Sequence, residues 1–462
     1  MSPSLLDVHV SRRRLLTRAG AGVLGAALPS LTLRGSAASE YTLVAAERAI
    51  SLLPGATTPA LSYGDGFPSP VLRVRQGERL RVRLVNRLES PTTIHWHGVR
   101  LPNAMDGVPN LTQAPVAPGE EFVYEFAPPD AGTFWYHPHF ASLQQLPRGL
   151  AGALVVEERE PPKFDADLLL VIKDWDLDEA GQFKAPTTPK AAARAGTFGR
   201  LHTVNGLVEP AYDVPAGGLC RLRLLNIDVT RIFKVVLEGA EALIVALDGH
   251  PLRQAQPLQL LSLGPGMRAD LALRAPSATG NQVRLVNTSA SAPWTMTTLR
   301  TTAPTQPLVQ AEPRLVPNPI PEPELGGAEV LRLSFASGTG MGTIICGSAA
   351  PQPILWSINK QSWSEFPALA PPLAGLRLGR SYILELQNAT PHPHPIHLHG
   401  FAFKVMRSNE RDIMPHFADT ALLSPKERLT VAFVADNPGD WMLHCHIIEH
   451  QATGMTGYLH VA

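Results

Sequence analysis

The chain has 462 residues, too many for one hydrophobic core, and at roughly 150 residues per domain its length predicts about three domains. Forty basic residues balance 40 acidic ones, so the formal charge is zero, which excludes a broad cationic face for nucleic acid or an anionic membrane. Forty-four prolines and 37 glycines suit short strands joined by tight turns better than helices, and an all-β chain is expected.

Residues 1–38 read as an export leader rather than as part of the fold. "SRRRLL" (Ser11 to Leu16) carries a twin arginine, a short weakly apolar stretch follows, and "SAA" (Ser36 to Ala38) offers small residues for cleavage. A twin-arginine leader implies a protein exported already folded, to the periplasm or beyond. The apolar stretch holds Pro29 and is too short to span a bilayer, and no other segment is long and apolar enough to cross one.

Beyond the leader, the two ends of the chain share a hidden duplication. "GERLRVRLVNRLESPTTIHWHG" places Gly77, Asn86 and His97 at gaps of nine and eleven, and "GRSYILELQNATPHPHPIHLHG" places Gly379, Asn388 and His399 at the same gaps. Pro118 to Gly132 and Pro425 to Gly439 are both fourteen apart, each glycine lying five before a histidine. The middle repeats only the scaffold: Gly217 is nine before Asn226, but Val235 and Leu237 stand where the outer copies have histidines. Each unit alternates apolar and polar residues, as in "RLRVRLV" and "YILELQN", the period-two pattern of half-buried strands. Three consecutive Greek-key β-sandwich or barrel domains are expected, at 39–160, 161–305 and 328–462. The proline-rich stretch 306–327 is expected to be an extended, semi-rigid linker.

Ten of the 16 histidines fall in four motifs: His95 and His97; His137 and His139; His394, His397 and His399; His444, His446 and His450. Imidazole is the commonest transition-metal ligand. In a strand, residues two apart face the same side, so eight histidines (95, 97, 137, 139, 397, 399, 444 and 446) can converge between the outer domains. Cys445 then faces the other way. With His394, His450 and Met455 it makes the two-histidine, one-thiolate set with a weak axial thioether that defines a blue-copper electron-transfer site. Structural zinc explains any single pair but not the full set, because zinc wants four ligands per ion and has no use for a redox connection. Cys220 and Cys346 read as buried apolar residues or one disulfide, and His9, His202, His250, His392, His416 and His460 as surface or satisfied polar groups.

Taken together, "HWHG", "HPH", "HPIHLHG" and "HCHIIEHQATGM" resemble the copper motifs of the multicopper oxidases, and of bacterial laccases most closely, over roughly residues 65–462. The resemblance implies cupredoxin-like domains and four copper ions. It implies a type 1 copper held by His394, Cys445, His450 and Met455. His95 and His397 are implied at the type 2 copper, with His97, His137, His139, His399, His444 and His446 at the type 3 pair. It also implies that a ring edge of His394 or His450 meets the reductant, and that Cys445 carries electrons to the cluster. The partners implied are dioxygen and a small reducing substrate, a phenol, an aromatic amine or cuprous ion, and a monomer is expected. Glu449 and Asp106 match acids that deliver protons in similar enzymes; their plainer roles are a hydrogen bond to a histidine and a turn aspartate before Gly107. Rival readings are a cuprous-ion oxidase of copper tolerance, a copper nitrite reductase and a blue-copper carrier without catalysis. The Gly-rich "FASGTGMGTIICGS" (335–348) is expected to border the type 1 site.

Overall fold

The computed structural model describes residues 39–462 except 185–186, 290–292, 313, 339–342, 345–351 and 364–370. Residues 1–38, Cys346 and most of the Gly-rich stretch lie outside the described residues.

The expected repeat is visible as one construction made three times. In each copy an opening strand pairs parallel with the strand that ends in the repeated asparagine, which pairs antiparallel with a third. These trios are Ser39–Ile50, Leu80–Asn86 and Glu121–Phe126; Ala166–Trp175, Leu219–Asn226 and Arg268–Arg274; and Glu329–Ser337, Ser381–Asn388 and Arg428–Val434. A second sheet faces each trio, built around the antiparallel pairs His95–His97 with Gly132–His137, Phe233–Glu238 with Gln282–Asn287, and His394–Leu398 with Gly439–Cys445. The fold is all-β, three consecutive cupredoxin-like β-sandwiches. Alternation explains the layers: Leu80, Val82 and Leu84 are buried while Arg81 and Arg83 reach Glu125 and Glu121 on the neighbouring strand.

The asparagine that revealed the repeat is a structural lock. Asn86, Asn226 and Asn388 each accept at Oδ1 from the backbone N–H two residues on, Leu88, Asp228 and Thr390. Each amide then donates to two carbonyls, those of Ser90 and Val116, Arg231 and Leu263, and His392 and Ser424. A buried amide so satisfied fixes the crossing from one sheet to the other, which sets where the next strand and its histidines begin.

The stretch 306–327 has neither strand nor helix among its described residues, and it is pinned down rather than free. Val309 N–H donates to Asp165, and the Val309 carbonyl accepts from Arg274. Asn318 exchanges two bonds with the Ala131 backbone and donates to the Gly249 carbonyl, while Arg100 donates to the Pro319 carbonyl. Glu322 pairs with Lys404 and Arg253. The strap is thus fastened to all three sandwiches.

Candidate metal centre

The eight paired histidines are brought together from four short segments of the first and third sandwiches, five in strands and His139, His399 and His446 just past strand ends, and each has at most 2% of its surface exposed. The facing sets include His95 with His97 and His137, His95 with His397 and His399, and His139 with His399 and His444, their ring nitrogens within 4.8 Å of one another in each set. The rings of His97 and His137 lie 4.9 and 5.3 Å from that of His446. Register explains the convergence: Ile396 pairs with Cys445 and His397 with His444, so the two motifs run side by side with matching faces.

Six of the eight rings have one nitrogen turned to a protein acceptor. Nδ1 of His95 donates to the Asp106 carbonyl at 2.9 Å, His397 to the Asp419 carbonyl at 2.9 Å and His399 to Asp106 Oδ2 at 2.9 Å. His137 and His444 donate to the Pro138 and Cys445 carbonyls, and His97 uses Nε2 on Asp419. With the proton held outside, the opposite nitrogen presents a bare lone pair inward. His399 Nε2 and His444 Nε2 then face each other at 3.1 Å, and His95 Nε2 and His397 Nε2 at 3.4 Å, with no proton to share. Buried His97 Nδ1, His137 Nε2 and both nitrogens of His139 and His446 have no hydrogen-bond partner among the described residues. Facing lone pairs and orphaned buried nitrogens call for cations, so the donor set fits metal ions.

The second set passes a sharper test. His394 Nδ1 and His450 Nδ1 are 3.1 Å apart, and each is 3.6 Å from Cys445 Sγ. A point in the plane of these atoms lies about 2 Å from all three, the length of a transition-metal bond to nitrogen or sulfur. Nε2 of His394 donates to Thr390 Oγ1 at 2.8 Å and Nε2 of His450 to the Arg194 carbonyl at 2.6 Å, leaving both Nδ1 atoms free for an ion. Met455 is fully buried beside this set, its N–H on the His450 carbonyl and its carbonyl on the Cys445 N–H. Burial pushes the Cys445 thiol well above its ordinary range, so an ion binding there displaces a proton.

Three features were not expected from the sequence. Neither His394 nor His450 offers an exposed ring edge: both are 0% exposed, with Trp356 packed 5.3 and 4.4 Å from their rings and its indole N–H on the Ala192 carbonyl. The middle sandwich, which lacks the histidines, supplies Arg268, fully buried, with two nitrogens on Asp419 at 2.6 and 2.9 Å. It also supplies Gly266, at φ +83°, where an added Cβ would come within 2.9 Å of His97 and His446. Burial opposes the charge on Asp419, but Arg268 and then His97 hold its carboxyl well below the usual range; burial and that charge push the neighbouring Asp248 up to about 7. As for the remaining residues, Cys220 is a buried free thiol, and His392 is half-exposed beside Trp356. His250 is buried and bonded to Asn318.

Burial holds His97, His137, His139, His397, His399, His444, His446, His394 and His450 below the ordinary imidazole value, His450 at about 3. The unfolded chain takes up protons near pH ~6.5 while the folded chain resists. Copper-free protein is therefore fully stable above that pH and loses stability progressively as pH falls below it. Metal competes with those protons, so copper-loaded protein should unfold at distinctly lower pH. Tryptophan fluorescence against pH checks this; coincident curves with and without copper would contradict it.

Residues 45–161 and 349–462 match sequence profiles described as multicopper oxidase. The crystal structure of a multi-copper oxidase from Pseudomonas thermotolerans is 45% identical and superposes with a TM-score of 0.86 over 92% of this chain and 100% of its own. Multicopper oxidase MmcO of Mycobacterium tuberculosis is 29% identical over 443 residues, covering 87% of this chain and 83% of its own. Laccase-1 of Botryotinia fuckeliana is 27% identical over 463 residues, covering 90% and 80%. The chain belongs to the multicopper oxidase family, as an oxidoreductase whose cofactor is copper, four ions arranged as a type 1, a type 2 and a binuclear type 3 site.

Proposed function

We propose that this protein is a laccase-type oxidase that removes single electrons from phenols and aromatic amines and uses four of them to reduce dioxygen to two waters. The observation that carries the reading is the juxtaposition in His444, Cys445 and His446: the sulfur belongs to one donor set and both flanking imidazoles to the other. His394, Cys445, His450 and Met455 would hold the type 1 ion. His95 and His397 would hold the type 2 ion, and His97, His137, His139, His399, His444 and His446 the type 3 pair. Bound copper supplies the one-electron oxidation of the reductant at the first set and the four-electron reduction of dioxygen at the second.

The chain's own residues do the rest. Cys445 is the covalent bridge along which electrons pass between the sets. Burial of every ligand keeps bulk water from the reduced cluster. Protons must still arrive, and two buried carboxyls are positioned for that: Asp106 touches His399, and Glu449 accepts from the hydroxyls of Thr187 and Thr197. Glu449→Gln keeps the size and loses the exchangeable acid. Turnover should fall on the order of 10²-fold while the blue band stays unchanged, and Asp106→Asn should act the same way. Unaltered oxygen uptake in both variants would leave these acids a purely structural role.

That only nine methionines occur, without clustering, supports organic reductants over cuprous ion. The leader at residues 1–38 supports export by the twin-arginine route, with the mature protein acting in the periplasm or outside the cell. The deciding experiment measures copper per chain, the visible spectrum and oxygen uptake on a phenol. Four coppers, a thiolate band that bleaches anaerobically and uptake without peroxide support the oxidase. A blue band without uptake would replace it by a carrier, and turnover on nitrite by a nitrite reductase.

A further inference from the structure

With both ring edges of the type 1 histidines covered, a reductant has to reach them through whatever covers them. One cavity, about 500 Å³ and so of small-molecule size, reaches the chain at three points next to the metal centre. Its wall includes Pro393, which precedes His394. It includes Ala195, which follows the Arg194 carbonyl bonded to His450. It includes Ile447, which follows His446. The remaining wall is unequal in charge. Arg231 and Lys234 line it, and among its described lining residues there is no carboxylate, histidine, cysteine or methionine.

The two cations differ in what they leave free. Arg231 is committed: its guanidinium pairs with Asp174, donates to the Gly199 carbonyl and lies 5.0 Å over the Phe198 ring. Lys234 is exposed and has no ion pair among the described residues. Its backbone is nevertheless fixed, the N–H on Asn287 Oδ1 at 2.9 Å and the carbonyl accepting from Thr288 N–H at 2.7 Å. Phe198 is 43% exposed at the same cavity and offers an aromatic face.

Resting on the laccase-type reading, we propose that this cavity is the reductant site and that it selects phenols carrying a second, anionic group. The carboxylate or sulfonate pairs with Lys234 while the ring packs against Phe198. Cuprous ion is disfavoured, because a soft cation finds no soft or negative donor there and meets the unpaired charge of Lys234. Each phenol gives up one electron and its hydroxyl proton, the O–H bond breaking to leave a phenoxyl radical. Four phenols thus supply the four electrons and four protons that convert one dioxygen into two waters. Two short routes lead out of the cavity: the Arg194 carbonyl to His450 hydrogen bond and the Pro393–His394 peptide.

The test pairs an acid with its neutral ester on the copper-loaded enzyme. Titration calorimetry with 3,4,5-trimethoxybenzoate, which has no phenolic hydroxyl, and with its methyl ester reads binding apart from turnover. The acid should bind about fivefold more tightly than the ester, as one partly exposed charge pair allows, and the ratio should shrink at high salt. Lys234→Glu should invert the ratio, and the same inversion should appear in KM for a phenolic acid against its ester. Arg332→Glu, on the third sandwich and 78% exposed, controls for net charge and should leave the ratio as it was. Equal binding of acid and ester, or a ratio indifferent to Lys234→Glu, overturns this inference and leaves the laccase reading standing. Oxygen uptake driven by cuprous ion and by no phenol overturns the laccase reading itself.

Discussion

Cys445→Ser should abolish the blue band and all reductant-driven oxygen uptake, and lower the copper content from four to three per chain. The exchange is nearly isosteric at a fully buried position, so the fold has little reason to change. What changes is the donor. A thiol in this site loses its proton to a metal ion, whereas a serine hydroxyl does not ionise at neutral pH and is a hard, weak ligand. His394 and His450 remain, held by Thr390 and Arg194, but two imidazoles and a thioether are a poor trap for an ion. The eight-histidine cluster keeps every donor, because its rings are oriented by Asp106, Asp419 and backbone carbonyls rather than by the sulfur. Metal analysis, the visible spectrum and an oxygen electrode read the three effects separately. Undiminished uptake in this variant would show that electrons reach the cluster by another path.

Arg268→Met should cost about 3–5 kcal/mol of stability, the usual penalty for stranding a buried charge by removing its partner. Arg268 has no exposed surface, and its five donors are spent on Asp419, the Asp248 carbonyl, the Thr133 carbonyl and the Gly266 carbonyl. Methionine fills part of the space and satisfies none of these. Asp419 would be left buried beside Asp248 with only histidines to balance it. Its grip on His97 would loosen, so copper loss from the cluster should accompany the lower midpoint in guanidinium chloride. The double change Arg268→Met with Asp419→Asn removes the stranded charge and should recover part of the loss. A midpoint within error of the native protein would mean that the arginine contributes nothing net.

The sequence disclosed the clustered histidines and Cys445 far better than the residues that support them. His95 and His97, or His444 and His446, are legible because strand geometry imposes a two-residue period on any pair that must face one way. The repeated asparagine was legible as spacing, although its locking role needed the structure. Asp419, Arg268 and Asp248 left no such trace. They come from separate strands and turns, meet only after the sandwiches pack, and an arginine within "GMRADL" looks like any surface charge on an alternating strand. The covering of His394 and His450 was invisible for the same reason. Arg194 acts through its carbonyl, which every residue has, and Trp356 has no fixed offset from the histidines it packs against.

The fastened strap at 306–327 has a consequence for how the cluster comes to exist. Its donors lie at 95–139 and 397–446, so without restraint a long flexible loop would have to close each time the site formed. The entropic cost of closing a loop grows with the logarithm of its free length, and every anchor divides that length. Bonds at Val309, Asn318, Pro319 and Glu322 leave only short free spans between the sandwiches. The two halves of the cluster are therefore held at high effective concentration by the polypeptide alone. Copper then arrives at a site whose assembly has already been accomplished, and its binding energy can go into holding metal rather than gathering the chain.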